Sequence, residues 1–236
     1  MPPHNFSMAL ILNIETSTAV CSAALARDEK VLSFRETEEP NSHSLVLGNF
    51  IKEIFEETGL SSQDLDAVAV SSGPGSYTGL RIGVSLAKGL CYSIDIPLVA
   101  VPTLLGMTSG IRSFYPEASF FVPMIDARRM EVYAEVYDNE MNVYKKVEPV
   151  IVSPDSFSDI LQKGKTVFFG DGAAKCREVI QSPNAVFSEK GKPSARSMAT
   201  VSEAFFNAGK FENTAYFEPF YLKEFQAKVS KIKGLR

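Results

Sequence analysis

The feature that most constrains this chain is a strand, a glycine-rich turn and a helix in immediate succession. Ala67–Val70 is a short apolar, β-branched run that reads as a buried strand. Ser71–Thr78 is built of Ser, Gly and Pro. Gly79–Ile94 then places Val84, Ala87, Leu90, Cys91 and Ile94 at helical spacing. Leu98–Val101, bracketed by Pro97 and Pro102, is the next strand. Strands linked by a helix belong to a layered α/β fold, with helices against the sheet. The turn has two readings. The first backbone N–H groups of a helix can hold an anion, so Gly73, Gly75, Ser76 and Thr78 could contact phosphate. Equally, the turn could simply be tight, with Gly83 and Gly89 allowing close helix packing. It is no Walker loop, because no Lys-Ser/Thr follows the glycines. It also misses G-x-G-x-x-G, since Gly79 falls one residue late.

The rest of the first half fits around this unit. Met8–Glu15, Ala19–Ala26 and Val31–Thr37 read as strands. Ser44 can cap a helix that buries Leu47, Phe50, Ile51, Ile54 and Phe55 and stops at Gly59. The order is βββαβαβ. Strands at Phe120–Ile125, Val132–Tyr137, Tyr144–Val152 and Val167–Phe169, with helices at Asp155–Leu161 (Ser153 its cap), Ala173–Ile180 and Ala195–Ala208, repeat the plan more loosely. With 236 residues there is room for two lobes, here 1–105 and 106–220, and a basic tail 221–236. No repeat is visible in the sequence itself.

Charge and rare residues exclude several functions. Lys+Arg 24 against Asp+Glu 28 gives −4, so there is no global basic field to grip nucleic acid. The tail is the exception: Lys223, Lys228, Lys231, Lys233 and Arg236 stand against Glu224. The 3 Cys form no C-x-x-C pair, and the 2 His are His4 and His43. Neither a disulfide scaffold nor a cysteine zinc site follows. No run approaches the ~20 apolar residues of a membrane span, and a cytoplasmic protein is expected.

Two further segments could carry chemistry. Asn13-Ile14-Glu15-Thr16-Ser17-Thr18 places a carboxylate and three hydroxyls at a strand end, either a metal–phosphate site or a hairpin turn. Asp126-Ala127-Arg128-Arg129-Met130-Glu131 carries both signs of charge between two strands. It reads as an ion-paired hairpin rather than a catalytic group.

Leu12–Ser17, Gly73–Gly83, Asp126-Ala127-Arg128 with Glu131-Val132-Tyr133, and Glu218–Lys223 together resemble the TsaB (YeaZ-like) family over almost the whole chain. The resemblance implies an α/β chain of the actin-like ATPase (ribonuclease H-like, sugar kinase/actin) fold, two lobes each with a mixed sheet flanked by helices. It implies a non-catalytic scaffold needed for N6-threonylcarbamoyladenosine in tRNAs that read codons beginning with A. The partners would be a TsaD-like transferase and a TsaE-like ATPase, with a homodimer when alone, tRNA reached only through the complex, and no membrane. The catalytic relative TsaD carries a metal-binding H-x-x-x-H pair on the helix after a Val-rich strand. The matching stretch here, Val101–Met107, has no His, so no intrinsic metal is expected. Actin-like kinases use a D-x-G-[ST] phosphate turn. Here Glu15 replaces the Asp and Ser17 stands where the Gly would fall. Glu15, Thr16, Ser17, Gly73, Gly75, Ser76 and Thr78, with Gly170 and Gly172, are then vestigial phosphate contacts. ATP or ADP is expected only within the assembled complex. Two helices also carry apolar residues beyond one core-facing stripe. Leu47, Phe50, Ile51 and Ile54 on the first, and Ile82, Leu86, Gly89 and Tyr92 on the second, are expected at the partner interface. The rival is an active enzyme, an ATP-dependent phosphotransferase or a glycoprotease-like metallopeptidase.

Overall fold

A computed structural model describes residues 9–39 and 42–223. The chain forms two five-stranded sheets with one topology. In the first, β1 (Leu10–Glu15) pairs antiparallel with β2 (Cys21–Arg27), which pairs antiparallel with β3 (Lys30–Thr37). On its other side β1 runs parallel to β4 (Ala67–Ser71), and β4 parallel to β5 (Leu98–Val101). In the second sheet β6 (Phe120–Asp126) takes the place of β1. It lies antiparallel to β7 (Glu131–Asp138), itself paired with β8 (Val143–Ile151), and parallel to β9 (Thr166–Phe169), followed by β10 (Ala185–Phe187). The orders are 3-2-1-4-5 and 8-7-6-9-10, the same plan twice. The two-lobe expectation is therefore met by topology although no sequence repeat announces it.

Burial follows strand alternation. Leu10, Leu12 and Ile14 point to one face of the first sheet, where α1 (His43–Thr58) and α2 (Tyr77–Ile94) bring Leu47, Ile54, Val84 and Ala87. Ala9, Ile11, Ala67 and Val99 point to the opposite face, covered by Met198 and Val201. Val201 belongs to α5 (Ala199–Asn207). This helix was expected in the second lobe. It returns instead to pack on β5 and β1, so the first lobe is completed by a segment distant in sequence. Between the lobes, α3 (Thr103–Ile111) buries Leu104, Met107 and Ile111 against Phe121, Ile125 and Phe169 of the second sheet.

Other expectations need correction. The helix α1 begins after Ser42, not Ser44, and the Ser42 hydroxyl donates to the Glu39 carbonyl at 2.7 Å rather than capping. Gly59 ends the helix at φ 68°. The helix expected over 155–161 shrinks to α4 (Ser158–Leu161), because Phe157 sits at φ 65°, which a right-handed helix cannot pass through. Residues 173–180 make only a 3₁₀ turn at Ala174–Cys176 before β10 claims the chain. Ala195–Met198 is likewise a 3₁₀ turn ahead of α5. No helix among the described residues is long and apolar enough to cross a membrane.

Candidate functional site

Each lobe ends its central strand on an acidic residue followed by a tight turn, and the two turns face the cleft between the lobes. In the first lobe the turn is Glu15-Thr16-Ser17. The Ser17 N–H donates to Glu15 Oε1 at 2.6 Å. Glu15 is 2% exposed, and Thr16 and Ser17 are fully buried. Burial pushes the Glu15 carboxyl above its usual range, against the opposing pull of the Ser17 amide.

The glycine-rich loop is what buries this turn. A Cβ on Gly75 would lie 2.4 Å from the Ser17 carbonyl oxygen, one on Gly79 2.1 Å from that of Thr16, and one on Gly83 2.3 Å from Thr16 Oγ1. Gly79 and Gly83, four residues apart, share one face of the first turns of α2, and Gly75 lies in the loop just before the helix. The Ser76 N–H donates to the Ser17 carbonyl at 2.6 Å, and the Ser76 hydroxyl accepts from the Gly79 N–H at 3.3 Å. The amide that would greet an anion is thus spent on the protein's own carbonyl. Of the two readings of the loop, the tight turn with close helix packing is the one this geometry matches. Gly83 serves that packing; Gly89 does not, since a Cβ there would meet nothing within 4 Å. Gly73 at φ 109° is a further close approach, its missing Cβ facing the Phe220 carbonyl oxygen at 2.4 Å.

Ser17 stands where the resemblance places the glycine of a phosphate turn, and Thr16 Oγ1 and Ser17 Oγ are buried beneath the glycine-rich loop. His43, buried at the start of α1, is a brace: its Nε2 lies 2.9 Å from the Thr18 carbonyl oxygen. Among the described residues no three His, Cys, Asp or Glu side chains assemble as metal ligands.

The second turn, Asp126-Ala127-Arg128, repeats the motif in the open. The Arg128 N–H donates to Asp126 Oδ1 at 2.9 Å, the counterpart of Ser17 on Glu15. Here the acid is exposed and pairs with Lys175. Gly170 and Gly172, expected as phosphate contacts, pack the end of β9 against β6. Their missing Cβ atoms face the Met124 carbonyl oxygen at 2.4 Å and the Ile125 carbonyl carbon at 3.0 Å. Asp171 between them accepts from the Asp126 N–H at 3.0 Å. The ion-paired hairpin also differs from expectation. Asp126 pairs with Lys175 and Glu131 with Lys223, while Arg128 and Arg129 take no carboxylate among the described residues.

Sequence reasoning missed the strap that runs from the first lobe to the rim of the cleft. Lys88 Nζ donates to the carbonyls of Ala215 and Phe217 at 3.1 Å each, and the Phe220 N–H donates to the Ser72 carbonyl at 2.7 Å. The Tyr221 ring packs tilted against Tyr77, centroids 4.8 Å apart, and Lys223 reaches Glu131 of the second lobe. The Glu218–Lys223 segment was the only signal for it. Beyond Lys223 the tail lies outside the described residues.

A second concavity of about 680 Å³ lies between α1 and α2, lined by His43, Leu47, Gly48, Tyr77, Ile82 and Leu86 among others. The expected interface residues divide here. Leu47, Ile51 and Ile54 are core, at 1%, 7% and 0% exposure, because their side of α1 faces the sheet. That part of the expectation is corrected. Phe50, Ile82 and Leu86 are half-buried, and Gly89 and Tyr92 stand exposed on α2.

Two sheets of identical order, their acidic strand ends meeting at a cleft, define an actin-like ATPase-type fold. The family model described as TsaD: tRNA N6-adenosine threonylcarbamoyltransferase matches residues 37–231. The tRNA threonylcarbamoyladenosine biosynthesis protein TsaB of Escherichia coli is 31% identical over 219 residues, 90% of this chain and 94% of that protein. Its namesake in Bacillus subtilis is 34% identical over 161 residues, 67% and 69% of the two chains. The solved structure of YeaZ from Pseudomonas aeruginosa superposes with a TM-score of 0.80 at 24% identity, covering 91% of this chain and all of that one. The chain belongs to the TsaB (YeaZ-like) family, a branch of the TsaD fold family.

Proposed function

We propose that the chain is a non-catalytic subunit in the biosynthesis of tRNA threonylcarbamoyladenosine, the role its relatives' names carry. In this reading it pairs with a TsaD-like transferase and joins a TsaE-like ATPase in the assembly. It would form a homodimer when alone. It binds neither metal nor nucleotide by itself, and ATP or ADP enters only in the complex.

One observation carries the reading: α1 and α2 leave an apolar groove uncovered by the second lobe. Ile82 and Leu86, half-buried on α2, line it. Leu45 is 75% exposed and Tyr92 87%. Apolar surface of this kind favours a helical partner that buries it. The filled phosphate turn supports the second half of the reading, because Ser76 N–H and the α2 glycines are engaged by Thr16 and Ser17. The α3 segment offers Leu104 and Met107, both buried, and no histidine.

The test is Leu86→Glu. It should abolish co-purification with the TsaD-like partner while the isolated chain keeps its unfolding midpoint. Unchanged pairing would place the interface elsewhere. The enzyme alternative would be sustained by ATP turnover of the isolated chain that Glu15→Ala abolishes.

A further inference from the structure

The hairpin between β6 and β7 has a backbone that its sequence does not favour. Arg128 and Arg129 lie at φ 72° and 52°. Consecutive left-handed residues at a hairpin are ordinarily Gly, Asn or Asp, which reach that region at little steric cost. Arginine does not, and backbone strain kept at an exposed loop points to use of the side chain rather than to the fold. The loop is held there by two hydrogen bonds of 3.1 Å, Ala127 N–H to the Glu131 carbonyl and Glu131 N–H to the Arg128 carbonyl.

The surroundings leave these charges free. Both arginines are exposed, and neither has an ion-pair partner among the described residues. Of the acids that line the same cleft, Asp126 pairs with Lys175 and Glu131 with Lys223, while Asp171 accepts from the Asp126 N–H. The cleft rim they occupy also holds Tyr77 and Tyr221, with the Arg81 guanidinium 4.9 Å over the Tyr77 ring. In sequence, Lys223 is followed by Lys228, Lys231, Lys233 and Arg236. Among the described residues Arg128 and Arg129 are thus exposed cations without a carboxylate partner, in a chain of net charge −4.

We propose that the Arg128–Arg129 tip contacts the phosphodiester backbone of the substrate tRNA directly. Guanidinium forks suit phosphate oxygens, and unpaired surface arginines release counterions on binding. The inference rests on the tRNA-directed role proposed above. It goes beyond it by giving this subunit its own RNA contact, where the family resemblance implies contact only through the complex.

The test uses the full chain and Arg128→Asn/Arg129→Gly, which removes both charges and relieves the left-handed backbone. Affinity for unfractionated tRNA at 50 mM salt should fall about tenfold, and the log–log salt slope should shrink by about 1.4–1.8, two contacts at ~0.7–0.9 each. The unfolding midpoint should hold or rise. Arg128→Lys/Arg129→Lys should keep most of the affinity. Lys145→Gln/Lys146→Gln, the same charge change on β8, should leave it intact. Unchanged tRNA affinity in the first variant, or an equal loss in the β8 control, overturns the proposal. A fall in midpoint would show that the arginines serve the fold and overturns it too. Millimolar ATP displacing tRNA from the wild-type chain would make the rim a mononucleotide site and count equally against it. Pairing with the TsaD-like transferase is measured on the same samples. Its absence in the wild-type chain sinks the scaffold reading and leaves the RNA result to stand or fall alone.

Discussion

The two lobes solve one local problem in opposite ways. Each ends its central strand on an acid whose carboxylate captures the amide two residues on, Ser17 on Glu15 and Arg128 on Asp126. In the first lobe an 18-residue helix, α2, presses its glycines onto that turn and seals it. In the second lobe the corresponding connection, from β9 to β10, forms only a 3₁₀ turn. Its acid stays in solvent and pairs with Lys175. The same backbone motif is therefore a packing element on one side and a charged rim on the other. What differs is the length of the helix that follows the next parallel strand, and that decides how far each turn is buried.

The strongest way to break the comparison is to add one methyl group on each side. Gly79→Ala would set a Cβ 2.1 Å from the Thr16 carbonyl oxygen, backbone against backbone, with no flexible end to yield. It should cost about 3 kcal/mol or more in denaturant unfolding. Gly172→Ala meets its nearest atoms only at 3.0 Å, one of them the Val132 Cγ1, which can shift. A loss of about 1–2 kcal/mol is expected there. Equal losses would mean that the two turns are packed alike.

Much of this could be read from the chain itself. The all-buried β1 and the β4–turn–α2 unit announce themselves, because continuous apolar runs and glycine turns have few alternatives. What the glycines were for could not be read. Gly75, Gly79 and Gly83 look the same whether they cradle phosphate or Thr16 and Ser17, and their contacts with Thr16 and Ser17 emerge only from the fold. The α3 helix escaped because Thr103, Leu104, Met107, Thr108 and Ile111 are all buried, which removes the one-sided apolar spacing that marks a surface helix. The strap escaped for a different reason: Lys88 meets Ala215 and Phe217 across more than a hundred residues, a pairing no local pattern encodes. The interface was half legible. Helical spacing showed surplus apolar residues on α1 and α2 but assigned Leu47, Ile51 and Ile54 to the wrong side.

A second test uses pH. Burial raises the Glu15 carboxyl above its unfolded value, so the folded state holds that proton more tightly. The resulting stability is fully present below about pH 4.5 and is lost as pH rises through the raised value. Glu15→Gln keeps an acceptor for the Ser17 N–H and removes the ionisation. Its stability curve should lose up to one proton's worth of slope, about 1.4 kcal/mol per pH unit, over that window. It should also exceed the wild-type chain in stability at pH 7. A variant that tracks the wild-type curve would mean that Glu15 stays ionised without penalty, and the contrast with Asp126 would vanish.

The smallest effect belongs to the open turn. Asp126→Asn can still accept the Arg128 N–H but loses the charge that holds Lys175. The two side chains are 45% and 24% exposed, so water screens the pair and the loss should stay below about 1 kcal/mol. Lys175 keeps its second bond, to the Glu131 carbonyl, which limits the loss further. Because the pair is solvent-facing, the difference between wild type and variant should shrink as salt rises towards 1 M, where the screening length is only ~3 Å. The Glu15→Gln difference arises from desolvation in a sealed turn and should not move with salt. Measuring both variants at low and high salt therefore separates a packed turn from an exposed one by a criterion independent of size. If the Asp126→Asn difference held constant with salt, that carboxylate would be as enclosed as Glu15.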